Sequence, residues 1–404
     1  MRKINFERFR TANHQSLRST NRAIVLNFIR SHQPISRVEI SKRTGLQRST
    51  VSLIVDELIR RGFVLERRAT SLRRGGVPRL LSINVGKDYT IGVDIEVSQT
   101  TVALADLMGN IVDREVFATP AKPGEAIAPL AECVGRLVAP VGWKSLRSVG
   151  IAVSGLVDHD AGTVLLASNL GWTNFPLGQR LQRRLGASVL VDNEANLSAL
   201  AEIWHGDFSN RSCPDLLFVN VKEGIGTGIV ISGVVYRGFN SLAAEFGHMI
   251  IQPDGPTCQC GNRGCWETLA DDRATVQRYL AQAPSFKPGG AGVSNPVSIE
   301  TVVQLALEGQ KEARTALTQT ARYLALGIQN IIVGLSPEFV VIAGAITRAW
   351  ALLIPEIEAQ MRRRLHGFGH EPVHVVPTSF REKPSLVGAI SLGIAEYFGV
   401  PSDL

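Results

Sequence analysis

The chain has 404 residues, 45% hydrophobic and 20% charged, a composition that excludes a disordered or fibrous protein and leaves room for two or three domains of about 100–200 residues. Its net charge of +7 is unevenly placed: residues 1–86 hold 18 Lys and Arg against 5 Asp and Glu, a net +13, and the other 318 hold 25 against 31, a net −6. A cationic segment joined to a mildly acidic body points to a polyanion as that segment's partner; no run nears the roughly 18 apolar residues that span a membrane, and MRKINFERFR has no signal-peptide core, so a cytoplasmic protein with no membrane partner is expected.

From Leu17 the pattern is helical, with Ile24, Leu26, Phe28 and Ile29 forming an apolar stripe that Pro34 breaks. Next comes ISRVEISKRTGLQRSTVSLIVDELIRRGF. Ser36 and Glu39 have capping-box spacing, Val38, Ile40 and Leu46 are expected to face inward, and Gly45 turns the chain into a second helix. That helix opens on Gln47, Arg48, Ser49, Thr50 and Ser52, packs through Val51, Ile54, Val55 and Leu58, and ends at Gly62. Two short strands around a basic, glycine-rich tip then complete a winged helix-turn-helix over residues 1–86. In such a head the start of the second helix enters the major groove, where Gln47, Arg48, Ser49, Thr50 and Ser52 reach base edges. Arg67, Arg68, Arg73, Arg74 and Arg79 lie where they meet phosphates. A protein-binding three-helix module is the plainer alternative, against which the +13 of charge weighs.

From Tyr89 the alternation is that of strands: YTIGVDIEV, TTVALADLMG and NIVDREVFATP, then a helix at 125–139 and the strand SVGIAVSGLVD. The order restarts after residue 213 with DLLFVNVKEGIGTGIVISGVV and a later strand EFVVIAGAI. Periodicity alone establishes an α/β body, residues 87–404, in two lobes.

The stretch AAEFGHMIIQPDGPTCQCGNRGCWE resembles the signature of the ROK family (repressors, open reading frames and sugar kinases). With the winged helix in front, the resemblance covers nearly the whole chain and is to the family's transcriptional regulators. It implies an actin-like, sugar-kinase-like fold of the ribonuclease H type, with a sugar held between the lobes. Cys258, Cys260, Cys265 and His248 offer three thiolates and an imidazole, a full tetrahedral set for zinc with no open position, hence a structural metal. The same four positions are the family's zinc ligands. Cys133 and Cys213 stand alone as small core or surface residues.

For the sugar, the resemblance places Glu245, His248 and Glu267 in the pocket, with Gly155, Ser168, Asn193 and Glu194. Residue by residue, Asn193 and Glu194 also suit a helix cap, and Glu245 a surface carboxylate. The nucleotide loops depart from the family. Its Asp-x-Gly-Gly-Thr loop here keeps Asp94 but carries Glu96 and Val97 for the glycines, and side chains there block the backbone approach that phosphates need. Glu223 stands beside the glycines of the second loop, and Ala345 follows Gly344 in the third. Glu194 replaces the catalytic Asp of the family's kinases, a displacement of order 1 Å that costs about a hundredfold in rate.

The expectation is therefore no enzyme but a sugar-responsive regulator, a homodimer or homotetramer bound to operator DNA and the nucleoid, with repression the commoner direction in the family. A bifunctional sugar kinase is the second reading. The third is control by a transport-protein partner in place of a sugar.

Overall fold

The structure is a computed structural model describing residues 14–68, 79–209, 211, 214–283, 297–365 and 373–398. The head contains α1 (His14–His32), α2 (Arg37–Thr44), α3 (Arg48–Arg60) and the antiparallel pair β1 (Val64–Arg68) and β2 (Arg79–Ile83). The Ser36 hydroxyl accepts from Glu39 N–H while the Glu39 carboxylate accepts from Ser36 N–H, so the capping box forms as read. Gly45 closes α2 in the left-handed region at φ 74°, where a Cβ would be strained. Val51, Ile54, Val55 and Leu58 of α3 are buried. Two inward expectations fail: Val38 is 54% exposed and Ile24 39%. Val38 and Ile40 are two positions, about 200°, apart on a helix and cannot share its buried face; in α1 Val25 takes the place expected of Ile24. Arg73 and Arg74, expected on the tip of the wing, and Cys213 lie outside the described residues.

The first lobe is built on β3 (Tyr89–Ile95), β4 (Gln99–Asp106), β5 (Ile111–Ala118), α4 (Pro123–Val138) and β6 (Leu146–Val153). After these come a small antiparallel sheet, β7 (Leu156–Asp158), β8 (Thr163–Ala167) and β9 (Trp172–Phe175), then α5 (Leu177–Leu185), β10 (Ser188–Asn193) and α6 (Glu194–His205). The second lobe contains β11 (Leu216–Val221), β12 (Ile225–Ile231), β13 (Val234–Val235), α7 (Trp266–Ala270), α8 (Asp272–Gln282), α9 (Ile299–Leu307), α10 (Lys311–Leu335), β14 (Phe339–Ala343), α11 (Trp350–Leu365) and β15 (His374–Pro377). Last among the described residues, α12 (Pro384–Phe398) returns to the first lobe.

The two main sheets run β10-β6-β3-β4-β5 and β13-β12-β11-β14-β15. In each, three strands form an antiparallel meander and two pair in parallel. The same sheet made twice is the actin-like, two-lobed architecture expected.

Between the sheets, α6 packs on α12 and on β12 of the other lobe. The approach is at backbone distance: a Cβ on Gly388 of α12 would lie 1.8 Å from the Leu197 carbonyl oxygen of α6. The head is seated on the first lobe. Its apolar core, which includes Ile29, Leu58 and Leu81, is continuous with Ala103 of β4, with Leu107 directly after it, and with Ile390, Ile394 and Phe398 of α12.

Candidate functional site

A cleft of about 470 Å³ opens between the lobes. Strand ends supply its walls: Glu96–Ser98 after β3, Ser154 and Gly155 after β6, Asn193 and Glu194 at the β10–α6 junction, and Lys222–Thr227 across the β11–β12 turn. Ligand clefts at the carboxyl ends of parallel strands are the general rule for open α/β sheets.

Five of the seven residues expected around a sugar line this cleft: Gly155, Asn193, Glu194, Glu245 and Glu267. Ser168 does not; its exposed neighbour Asn169 does. His248 stands behind Glu267, its Nδ1 3.3 Å from Glu267 Oε1 and 3.6 Å from Cys258 Sγ, so Nδ1 is turned to the thiols and Nε2 is the nitrogen left over. Asn193 caps α6, its Oδ1 accepting from Ala195 N–H (2.8 Å) and Asn196 N–H (3.2 Å) while Nδ2 donates to the Gly155 carbonyl (2.8 Å). One amide N–H remains for a ligand. Behind it, Asp192 is wholly buried and held by Arg237 of the second lobe at 2.8 Å.

Glu194 faces Asn220 Nδ2 at 3.4 Å and Lys222 Nζ at 3.6 Å. Lys222 also bonds Glu96 Oε1 at 2.8 Å, and Lys383, just before α12, bonds Glu96 Oε2 at 2.5 Å and stands 3.6 Å from Asp94. Burial would raise the Glu96 pKa, but the two ammonium groups hold it down at about 2. Burial, then the Glu96 charge, lifts Asp94 to about 6, and burial with Glu223 and Asp271 close by lifts Asp272 to about 8. Neither lysine was singled out from the sequence. Lys222 had a signal, directly preceding the glycine turn; Lys383 had none.

Under one wall, His248, Cys258, Cys260 and Cys265 bring their donor atoms within 4.8 Å of one another. Cys260 Sγ and Cys265 Sγ are 3.6 Å apart. In a tetrahedron with metal–sulfur bonds of about 2.3 Å the donors stand roughly 3.7 Å apart, so the four residues fit a metal ion. The chain must turn back sharply to do this: Gly264 has φ 69°, and a Cβ there would lie 1.6 Å from the Gln252 carbonyl oxygen.

On the head, Gln47, Arg48 and Ser49 are exposed at the start of α3, with Thr50 and Ser52 half-buried beside them. Arg37 and Arg79 are committed to Glu66, each at 3.0 Å, whereas Arg48 makes no ion pair among the described residues. This face is a cationic helix N-terminus presented to solvent.

Sequence and structure comparisons agree with both parts. The ROK family profile matches residues 90–396 and the MarR family profile residues 19–74. A putative xylose repressor of Caldicellulosiruptor sp. (strain Rt8B.4) is 33% identical over 398 residues, covering 96% of this chain and 99% of the relative. Among solved structures, a ROK family transcriptional regulator described as a homolog of the E. coli MLC protein matches with a TM-score of 0.82 at 26% identity, over 95% of this chain and 98% of its own. A ROK family glucokinase from Streptomyces griseus, solved with glucose and AMPPNP, matches with a TM-score of 0.66 at 29% identity over 75% of this chain and 98% of its own.

Proposed function

The chain belongs to the ROK family, and from that premise we propose how its two ends act together. It is a sugar-responsive, DNA-binding regulator of the repressor type. The observation that carries this is the shared helix α6: its N-terminus forms part of the carboxylate-lined cleft, and its last turn packs against the winged-helix head. On this reading residues 1–86 bind operator DNA through Gln47, Arg48, Ser49, Thr50 and Ser52, and residues 87–404 bind the sugar through Gly155, Asn193, Glu194, Glu245 and Glu267. Asn169 stands in for Ser168, and His248 contacts a hydroxyl through Nε2. A dimer sets two heads on half-sites about 34–36 Å apart, or a multiple of that. The protein works in the cytoplasm, where a DNA-binding regulator meets its operator; among the described residues no helix is long and apolar enough to cross a membrane.

Zinc is the metal proposed for the cluster: three thiolates and an imidazole are its structural ligand set, and bound there it would hold the 248–265 loop against the cleft wall as a closed, non-catalytic site.

Kinase activity is absent on this reading. Glu194 is engaged by Asn220 and Lys222, and the first phosphate loop presents Glu96 where backbone N–H groups are needed. Control by a transport protein has Phe239 in its favour, a ring 87% exposed on the short turn Phe239–Ser241; it competes only if no sugar acts.

The deciding experiment is fluorescence anisotropy of a labelled DNA fragment from upstream of the protein's own gene, titrated with and without a panel of free sugars and with Mg-ATP. One sugar that changes DNA affinity about 5–150-fold, with no ATP turnover, supports the reading. DNA binding indifferent to every sugar overturns it.

A further inference from the structure

The cleft's electrostatics bear on which sugars it accepts. Its lining includes the carboxylates of Glu194, Glu223, Glu245, Glu267 and Glu300 and one basic side chain, Lys222. A second cation, Lys383, reaches in from the segment that enters α12. Both are already spent on one internal anion: Lys222 Nζ lies 2.8 Å from Glu96 Oε1 and Lys383 Nζ 2.5 Å from Glu96 Oε2. What charge they have left over faces Glu194 and Asp94, each at 3.6 Å. Glu96 is thus gripped at both oxygens, one from each side, as two lysines grip a bound phosphate.

The placement is no accident of a surface pair. Glu96 directly follows β3 of the first lobe and Lys222 directly follows β11 of the second, so the carboxylate bridges the cleft floor. Lys222 and Glu96 are both more than half buried by their surroundings, with side chains 34% and 24% exposed. An incoming phosphate would find its counter-charges taken and five further glutamates around it, with Asp272 beside them. A neutral polyol meets no such barrier, and carboxylates accept its hydroxyls well.

We propose that Glu96 is a built-in anion that fills the cleft's cationic site and restricts the effector to uncharged sugars, excluding sugar phosphates and nucleotides. The part concerning the effector rests on the sugar-responsive reading above; the part concerning the filled site does not. The same clamp ties the lobes together without a nucleotide.

The test uses the full-length protein, with calorimetry and thermal shift. Glucose and N-acetylglucosamine are compared with their 6-phosphates, and pyrophosphate serves as a bare anion. Wild type is set beside Glu96→Gln and the double variant Glu96→Gln/Lys383→Met; Glu96→Ala replaces the Gln variant if that fails to fold. The expected result is at least tenfold weaker binding of each phosphate than of the free sugar to wild type. Glu96→Gln should gain at least tenfold in pyrophosphate affinity, and the double variant should lose that gain, which separates the cleft from the basic head. A sugar phosphate that binds wild type as tightly as its free sugar overturns the proposal. So does pyrophosphate affinity equal in all three proteins. If neither sugar nor its phosphate binds, the sugar that acts in the DNA-anisotropy panel and its phosphate take their place, and the pyrophosphate comparison decides on its own whether Glu96 fills an anion site.

Discussion

The guanidinium of Arg30 lies 4.3 Å from the centre of the Trp204 ring, joining the first helix of the head to the last turn of α6. Burial lowers the Arg30 pKa to about 10, still well charged near neutral pH. At its other end, about 18 Å away for twelve residues of helix, α6 begins with Glu194 on the cleft floor. Between them Glu202, wholly buried, accepts from Thr378 Oγ1 at 2.5 Å and Ser379 Oγ at 2.6 Å, in the loop that leads to Lys383. One rigid element therefore touches the ligand cleft, the segment between the lobes and the DNA-binding head.

Replacing Arg30 with Met keeps the stem and removes the cation over the indole. A buried cation–π contact contributes about 2 kcal/mol, comparable to an allosteric coupling of about 1–3 kcal/mol. Arg30→Met is expected to bind sugar with unchanged affinity and to bind DNA, but the sugar's effect on DNA affinity should shrink to less than about threefold. Calorimetry for the sugar and anisotropy for the DNA check it; an undiminished sugar effect would show that the signal runs elsewhere.

His205, next along α6, makes stability depend on pH. Burial first, then the Arg30 charge, lower its pKa from 6.5 to about 4, with Asp106 opposing, and among the described residues its Nε2 has no hydrogen-bond partner. The folded pKa is depressed, so the unfolded chain binds the proton more readily. Stability from this group is complete above pH 6.5 and is lost as pH falls toward 4, to a total on the order of 3 kcal/mol. His205→Leu should match wild type near pH 7.5 and exceed it by about 2–3 kcal/mol near pH 4. Asp94 and Asp272, raised to about 6 and about 8, act with the opposite sign, but they are present in both proteins and cancel in the difference. Denaturant melts at both pH values measure it, and parallel curves would remove His205 from the account.

How much of this could be read from the residues depends on how local each feature is. The helix-turn-helix was legible because Ser36, Glu39 and Gly45 act within one turn of themselves, and the metal cluster because four donors fall within eighteen residues. Both inward misassignments, Val38 and Ile24, came from counting apolar residues without phasing them on the helix. The cleft was legible where a loop carries its own chemistry, as at Glu96 and Gly224–Gly228. It was not where a partner arrives from far off: Lys383 is 161 positions from Lys222, and the segment that carries it belongs in sequence to the second lobe. Arg30 looked like part of the head's positive charge; only the docking of α1 on α6 turns it inward.

Metal removal should separate scaffold from site. Cys258→Ser leaves two thiolates and His248, too few to close a tetrahedral structural site. One zinc per chain is expected in wild type by elemental analysis and less than a tenth of that in the variant. Losing a structural metal costs at least about 2 kcal/mol, a fall in Tm of roughly 4–8 °C for a unit of this size. Sugar affinity should fall as well, because Glu267 lies in the first turn of α7, which Cys265 precedes, and loses its backing. A variant with full sugar affinity and unchanged Tm would mean the cluster does not support the cleft.

Arg48 tests the other end. Among the head's arginines it opens α3, is exposed and makes no ion pair among the described residues, whereas Arg37 and Arg79 are held by Glu66. A bidentate contact from such a side chain to a guanine contributes about 1–3 kcal/mol of discrimination. Arg48→Ala should therefore weaken operator binding about 5–150-fold while binding to random DNA falls far less, since the remaining arginines still meet phosphates. The salt dependence should change little, and sugar binding and Tm not at all. Equal losses on operator and random DNA would make Arg48 a phosphate contact and move base reading to Gln47, Ser49 or Ser52.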